Sequence, residues 1–384
     1  MQVETISRYA EVAKALRAAA GDGGTVRVCG GGTKLCWGRP PVAGAVSLPI
    51  RGVDDIVEHN AGDLTAVVQA GVRLADAQAA FAEAGQMLAV DPPLGAGEGA
   101  TVGGVVATAD SGPLRHRYGG VRDQVIGIRA VLADGSVIHS GGKVIKNVAG
   151  YDLGKLFTGS FGTLGVIVEV SLRLHPLPGP VLTALGKTDD PQVLQKGAIS
   201  LSAFPLTAVS LDFRWERGEG WLLARFGGGA GRSQAQRAEQ MMETAGLETS
   251  LEGDDEALWA GQRAAQRSPE GVVAKVSALP NDLAGVVRAA DGIEASAVGR
   301  AGLGLAWLRI EQPGAAADAA ACVEDLRSRL APRPVVVLDA PAGTRETIDV
   351  WGSQPEPLLA LMRRVKDRFD PTGVCNRGIF VGGI

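Results

Sequence analysis

Two cysteines flank a run of three glycines in the segment VRVCGGGTKLCWG, residues 26–38. Closely spaced cysteines could bind a metal or do redox chemistry, whereas a glycine loop could turn its backbone N–H groups towards a phosphate. A zinc or iron–sulfur site needs about four soft ligands. Cys29 and Cys36 could supply two, but Cys322 and Cys375 lie far away in the sequence. We therefore predict no metal site and expect the cysteines to be buried small hydrophobic residues.

The glycine loop Gly30–Lys34 directly follows a predicted strand, TVRVC. Glycine permits backbone conformations in which successive N–H groups converge on an anion, and Thr33 can add a hydroxyl donor. The loop does not match the Walker A pattern GxxxxGK[ST]. Taken alone, it fits either a phosphate-binding loop or an ordinary tight connection.

A second glycine-rich segment, PPLGAGEGATVGGVVAT, covers residues 92–108. Its residues 95–100 formally match the dinucleotide-binding pattern GxGxxA, which must follow a strand. Two prolines precede the pattern here, and consecutive prolines argue against a central strand. We therefore reject a nicotinamide dinucleotide site and interpret Thr101, Gly103 and Gly104 as backbone that lines a different ligand.

A third segment, KNVAGYDLGKLFTGSFGTLGVIVEVSLRL, covers residues 146–174. Gly159, Gly162 and Gly165 recur every three residues before a predicted strand. Glycine at these positions allows a flat or extended ligand to approach the backbone closely. A compact entry into the strand is the alternative.

The elements that must position these segments fall into two series. A helix over residues 7–20 is predicted to begin at a serine cap, and a hairpin over residues 123–141 to turn at Asp134-Gly135. From about residue 180, two rounds of strand, strand and helix predict one antiparallel sheet covered by helices. The order of the elements indicates an α+β protein.

The composition describes a soluble globular protein. The 384 residues are enough for two domains with sizeable cores, and 54 of them are glycine, about double the usual share. The net charge of −4 gives no electrostatic reason to expect nucleic acid. No apolar run approaches the roughly 20 residues that span a bilayer, and the N-terminus lacks a signal-peptide pattern. We therefore expect a cytoplasmic protein.

Together the motifs resemble a known family. The glycine loop, GATVGGVVAT, RYGGVRDQVIGIRAVLADG and KNVAGYDLGKLFTGSFGTLGVI occur in the order found in the PCMH-type FAD-binding domain of the vanillyl-alcohol oxidase superfamily. The forms KNVAGYDL, DVWG and RFDPTGVCNRGIFVGGI are similar to the FAD-binding E subunits of bacterial glycolate oxidases. The resemblance implies a two-subdomain PCMH-type FAD-binding domain over residues 1–178, a ferredoxin-like antiparallel α+β cap domain over residues 179–345, and a C-terminal segment over residues 346–384 that returns to the flavin domain.

The resemblance implies non-covalent FAD, because relatives with covalent flavin often carry a histidine where this chain has Thr33. It assigns the pyrophosphate to the glycine loop, the dinucleotide and ribityl chain to the second segment, the adenine and ribose to the third, and the isoalloxazine to a tail asparagine. The implied cofactor-binding residues are Gly30, Gly31, Gly32, Thr33, Lys34, Pro93, Thr101, Gly103, Gly104, Thr108, Arg115, Gly162, Gly165, Ile167 and Asn376.

The chain departs from the family pattern at three places. Cys29 replaces an arginine before the loop glycines, Cys36 replaces a commonly polar residue, and Ile379 stands where the family tail carries arginine. These changes remove or move positive charge, so we expect weaker FAD binding than in typical relatives. A Cys29→Arg change should tighten FAD binding if its side chain reaches the phosphates.

The histidines bear on catalysis. Oxidation of a 2-hydroxy acid needs a base, a cation for the carboxylate and a hydride acceptor. Related catalytic flavoproteins carry closely spaced histidines in the second domain, whereas this chain has only His59, His116, His139 and His175. We therefore assign no catalytic residue. His116 is the best flavin-side candidate.

The resemblance predicts an electron-relaying or structural FAD subunit of a glycolate oxidase or dehydrogenase complex, which oxidises glycolate to glyoxylate. The implied partners are a catalytic FAD subunit and an iron–sulfur subunit that passes electrons to membrane quinone, with at most peripheral membrane association through the complex. Two alternatives remain: a self-sufficient FAD-dependent 2-hydroxy-acid oxidoreductase, and a scaffold subunit with a decayed FAD site.

Overall fold

The structure is a computed structural model that describes residues 2–50, 52–142 and 151–384, with side chains from Arg8 onwards. The residues KNVAG, at the start of the motif KNVAGYDL, lie outside the described residues. None of the described helices is both long and apolar enough to cross a bilayer.

The α-helices of the described residues are α1 (Gln2–Gly21), α2 (Leu74–Ala82), α3 (Val102–Thr108), α4 (Arg115–Tyr118), α5 (Val121–Gln124), α6 (Leu153–Phe157), α7 (Pro191–Ala203), α8 (Gly231–Ala245), α9 (Glu256–Ala264), α10 (Leu283–Asp291), α11 (Ala316–Leu330), α12 (Ala342–Thr347) and α13 (Glu356–Phe369). Short 3₁₀ helices cover Ala96–Glu98, Pro280–Asp282, Ala301–Leu303 and Val381–Gly383.

The strands are β1 (Val26–Cys29), β2 (Val46–Pro49), β3 (Ile56–Asn60), β4 (Thr65–Gln69), β5 (Gln86–Met87), β6 (Val125–Val131), β7 (Val137–Gly141), β8 (Val166–Arg173), β9 (His175–Pro176), β10 (Val181–Thr188), β11 (Ser210–Glu216), β12 (Glu219–Gly227), β13 (Glu248–Glu252), β14 (Val272–Ser277), β15 (Ser296–Arg300), β16 (Leu305–Ile310) and β17 (Val335–Asp339).

Two compact units interleave along the chain. The first unit contains Met1–Ser111, Gly119–Leu177 and Ser353–Ile384, and the second contains Gly112–Tyr118 and Pro178–Gly352. The C-terminal segment therefore returns to the first unit, as the fold prediction required.

The first unit is built on a five-stranded antiparallel sheet in the order β3-β4-β8-β6-β7. Its central strand β8 is buried from Val166 to Leu172, because the sheet is covered on both faces. From α1, the Tyr9 hydroxyl donates to Glu169 Oε2 of β8 at 2.9 Å. A separate parallel pair, β1 and β2, carries the glycine loop at the end of β1.

Local sequence signals predicted the hairpin of this unit correctly but not the start of its first helix. The hairpin β6–β7 is confirmed: Gly135 has a φ of +78° in its turn, and Ser136 N donates to Asp134 Oδ1 at 2.8 Å. The expected serine cap at Ser7 is wrong, because α1 already begins at Gln2. Serine is only slightly less favourable within a helix than the Gln and Glu residues before it, so the helix extends through it.

The second unit is an eight-stranded antiparallel sheet in the order β13-β10-β12-β11-β15-β16-β14-β17. Helices α7, α8, α10 and α11 cover one face, and its core includes the fully buried Phe213, Leu222 and Leu308. Trp259 of α9 reaches the opposite face, where its Nε1 donates to Thr183 Oγ1 at 2.9 Å. This arrangement confirms the predicted antiparallel sheet covered by helices.

Candidate functional site

A cleft of about 730 Å³, counting its open mouth, lies in the first unit. Four segments line it: the end of β1 with its glycine loop, the start of α3, the stretch from Phe161 into β8, and the C-terminal tail. Segments that are distant in sequence thus meet at one cleft.

Thirteen of the fifteen residues predicted to bind the cofactor line this cleft. They are Gly30, Gly31, Gly32, Thr33, Lys34, Thr101, Gly103, Gly104, Thr108, Gly162, Gly165, Ile167 and Asn376. Pro93 is buried outside the lining, and Arg115 belongs to the second unit. Their role at the cofactor stays a prediction.

Sequence reasoning missed several lining residues, namely Arg27, Val28, Leu35, Ile50, Ala107, Phe161 and Val166. One signal for Arg27 was present, because this cation lies on the strand that leads directly into the glycine loop. The apolar lining residues gave no such signal, because the same residue types also occur at buried positions of the core.

The lining glycines allow two chain segments to pack backbone against backbone. A Cβ on Gly31 would lie 1.5 Å from Gly99 O, and a Cβ on Gly30 would lie 2.4 Å from Thr101 Oγ1. These glycines therefore bring the loop and the start of α3 together. Thr101 caps α3, because its Oγ1 accepts from Gly104 N at 3.2 Å.

The turn of the loop leaves donors for an anion. Gly32 has a φ of +77°, a left-handed conformation that favours glycine. Within the described residues, the backbone N–H groups of Gly31 and Gly32 donate no hydrogen bond. Amides in a tight glycine turn suit the oxygens of a phosphate or pyrophosphate.

Among the residues that the structure describes, two cations line the cleft and no acidic side chain does. Lys34 Nζ lies 3.2 Å from Asp110 Oδ2, and both side chains are buried. Arg27 Nη2 donates to Leu35 O at 3.0 Å, so its guanidinium holds the far end of the loop. The charge and the amide donors together fit a dinucleotide with an anionic pyrophosphate.

Asn376 joins two walls of the cleft. Its Oδ1 accepts from Val28 N at 2.8 Å, and its Nδ2 donates to Phe161 O at 2.6 Å. Its φ of +45° is left-handed, which asparagine tolerates better than most residues. A Cβ on Gly162 would lie 2.8 Å from Asn376 Nδ2, so glycine is needed opposite it.

The histidines do not gather at this cleft. His59 bonds to Gln86, and His175 bonds to Gln124, each at 3.0 Å. His139 lies on the exposed side of β7. His116 belongs to the second unit, where burial, and to a smaller extent the charge of Arg117, lower its pKa.

The cysteines do not form a cluster. Cys375 is buried, and burial raises the pKa of its thiol to about 12. Cys29, Cys36 and Cys322 are only partly buried, so the expectation of four buried cysteines is wrong for three of them. Within the described ranges, no group of three or more His, Cys, Asp or Glu side chains is arranged to hold a metal ion. Cys29 does not line the cleft.

Known proteins resemble the chain in the same region. Residues 3–141 match the family "FAD binding domain". The glycolate oxidase subunit GlcD of Bacillus subtilis (strain 168) is 37% identical over 185 residues, which cover 48% of this chain and 39% of GlcD. The glycolate oxidase subunit GlcE of Escherichia coli (strain K12) is 38% identical over 197 residues, which cover 50% of this chain and 55% of GlcE. The chain thus spans about half or less of these two relatives.

The fold extends the likeness over the whole chain. The structure of an alkyldihydroxyacetonephosphate synthase superposes with a TM-score of 0.70, covering 95% of this chain and 74% of the synthase at 16% identity. This supports the PCMH-type FAD-binding fold and its α+β companion unit. The chain therefore carries an FAD binding domain at its N-terminal end, and FAD is its cofactor.

Proposed function

We propose that the chain is the FAD-binding subunit of a glycolate oxidase or dehydrogenase complex, which oxidises glycolate, a 2-hydroxy acid, to glyoxylate. The observation that carries the proposal is the cleft of the first unit, where three glycine-rich segments and the tail meet. Similarity to two glycolate oxidase subunits supports the substrate class.

The cleft residues have distinct tasks in this proposal. Gly31 and Gly32 donate backbone N–H groups to the pyrophosphate, and Arg27 and Lys34 supply positive charge. Asn376 holds the tail against the cleft wall. When bound, FAD supplies a carrier for the electrons that pass through the complex. Thr33 at the loop favours non-covalent attachment.

We place the oxidation itself on a partner flavoprotein and assign this chain an electron-relaying or structural role. No histidine follows residue 175, and His116 packs in the second unit against the backbone of Gly302. The Nδ1 atom of His116 is buried and has no hydrogen-bond partner within the described residues. Its lowered pKa reflects that burial and does not by itself indicate a general base. An iron–sulfur subunit completes the proposed complex.

The test is flavin reduction followed anaerobically by stopped-flow absorbance, first for the chain alone and then for the chain co-expressed with the two proposed partners. We expect the chain alone to carry FAD that acid precipitation releases, and glycolate to reduce flavin only in the complex. Rapid reduction of the lone chain by glycolate or another 2-hydroxy acid would instead identify a self-sufficient oxidoreductase. A colourless chain that takes up no FAD would identify a scaffold.

A further inference from the structure

We propose that the buried ion pair Lys366–Asp370, which does not line the FAD cleft, is a positioning pair for it. The pair fixes the C-terminal turn so that Asn376 joins the two cleft walls, and FAD binding is thereby coupled to docking of this turn. The inference rests on FAD as the cofactor and is independent of the substrate.

Lys366 lies near the end of α13 with its side chain 10% exposed, and it uses all three of its donors. Its Nζ donates to Asp370 Oδ2 at 2.6 Å, to Thr163 O at 2.7 Å and to Cys375 O at 3.0 Å. One ammonium group therefore ties the helix to the tail and to the loop before β8. A buried ammonium with a full set of acceptors is held in one place.

Asp370 closes the turn from the other side. Its Oδ1 accepts from Val374 N at 3.0 Å, and its Oδ2 accepts from Cys375 N at 2.8 Å as well as from Lys366. The carboxylate is fully buried. Within the described residues Lys366 is its one ion-pair partner, so loss of Lys366 leaves a buried charge uncompensated.

The turn held by this pair forms backbone hydrogen bonds to the start of β1. Val26 N donates to Val374 O at 2.8 Å, and Asn376 N donates to Val26 O at 3.0 Å. Thr25 Oγ1 also donates to Val374 O at 2.8 Å. The tail thus lies beside β1 as a short parallel neighbour, with Val26 opposite Cys375.

Asn376 follows directly and reaches both walls, through Val28 N and Phe161 O. Phe161 and Thr163 belong to the same loop, so Lys366 and Asn376 hold that loop at two points two residues apart. The position of this cleft wall therefore depends on the C-terminal turn being docked. By linkage, whatever stabilises docking of the turn tightens FAD binding, and FAD stabilises docking by the same factor.

The first experiment compares Lys366→Met with Arg267→Met as a matched control. Arg267 pairs with the buried Asp339 of the second unit, its Nε donating to Oδ2 at 2.7 Å, so each change removes one cation that pairs with a buried carboxylate. Both variants should melt at a lower temperature. Only Lys366→Met should weaken FAD binding, by about tenfold in the Kd measured from quenching of flavin fluorescence, equivalent to about 1.4 kcal/mol.

A double-mutant cycle separates positioning from general stability. Asn376→Ala should weaken FAD binding as well, and the double variant Lys366→Met/Asn376→Ala should be no weaker than the worse single variant, because both act through the same contact. Additive effects would overturn the proposal, as would a Kd of Lys366→Met within twofold of the wild type. If Lys366→Met does not fold, Asp370→Asn, which keeps the shape but loses the charge, takes its place with the same expectation.

Cys375 reports docking directly, because its buried thiol sits in the turn and its pKa is about 12. In a Cys29→Ser/Cys36→Ser/Cys322→Ser background it is the sole thiol. FAD should slow its reaction with a thiol reagent, and Lys366→Met should remove most of that protection. Equal labelling rates with and without FAD, in a background that binds FAD, would reject the coupling. A wild-type chain that binds no FAD would instead reject the FAD assignment.

Discussion

Arg27 and Lys34 bring positive charge to the cleft in different ways. Lys34 is paired with the buried Asp110, so its charge is largely compensated before any ligand binds. Arg27 lines the cleft two residues before Cys29 on the same strand and holds the loop through Leu35 O. Arg27 therefore places a guanidinium on the same strand as Cys29, two residues earlier.

We expect Arg27→Met to weaken FAD binding about tenfold, because it removes a cation beside the pyrophosphate loop and the contact that holds Leu35. The Kd for FAD measured at low and moderate salt checks this, and the variant should show the smaller salt dependence. Arg173→Met, which changes an exposed arginine of the same unit, is the control and should bind FAD like the wild type. An unchanged Kd for Arg27→Met would contradict the role.

Gly31→Ala should abolish FAD binding and lower the melting temperature. The added Cβ would lie 1.5 Å from Gly99 O, so the loop and the start of α3 must separate. Gly285→Ala in α10 is the control, because its Cβ meets nothing within 4 Å and alanine stabilises a helix by up to about 1 kcal/mol over glycine. Flavin content after purification and thermal melting distinguish the two variants. Normal flavin content in Gly31→Ala would show that the backbone contact is dispensable.

At the scale of elements, one buried ion pair connects two neighbouring strands, β11 and β15, in the sheet of the second unit. Asp212 of β11 lies opposite Arg300 of β15, and the Arg300 Nη1 to Asp212 Oδ2 distance is 2.6 Å with both side chains fully buried. Burial raises the pKa of Asp212 to about 6, although the Arg300 charge and the Gln262 hydrogen bond lower it. Arg300 also donates to Gly112 O at 2.9 Å, and its guanidinium lies 4.8 Å from the Trp307 ring centroid.

Arg300→Met should destabilise the second unit by about 3–5 kcal/mol, because it leaves Asp212 buried without its counter-charge. Urea denaturation followed by tryptophan fluorescence measures the loss. The exposed pair Arg329–Asp325 of α11 supplies the control, since Arg329→Met should cost less than about 1 kcal/mol. Equal losses in the two variants would show that the buried pair contributes no more than a surface one.

At the scale of the whole molecule, the segment Gly112–Tyr118 groups with the second unit although its flanking residues belong to the first. His116 lies in this segment, partly buried beside Gly302. Its neutral form is favoured in the folded state, because burial and then the charge of Arg117 lower its pKa below 6.5.

This lowered pKa predicts a pH effect on overall stability. Below about pH 6.5 the unfolded chain takes up a proton at His116 that the folded chain resists, so stability present at neutral pH is lost as the pH falls. The melting temperature of the wild type should therefore fall further between pH 7 and pH 5 than that of His116→Gln. His139→Gln, at an exposed histidine, should behave like the wild type. If the melting temperatures of the wild type and His116→Gln changed equally with pH, the prediction would be contradicted.

The sequence by itself determined the FAD domain, the cofactor and most of the cleft. Glycine spacing, the Asp134-Gly135 turn and the order of the motifs are local signals, because each depends on the conformations open to a few consecutive residues. The same signals assigned the loop glycines to ligand approach, whereas Gly30 and Gly31 also allow two segments to pack closely.

Only the tertiary structure decided which distant residues hold the cleft in shape. Lys366 and Thr163 O are 203 residues apart, and Arg300 and Asp212 are 88 apart, so neither contact leaves a local pattern. A buried charge is tolerated only where the folded chain brings its partner to it, and single-sequence composition does not reveal that partner. Sequence therefore indicated the cofactor, and the packing of the C-terminal turn determined how the cleft is held.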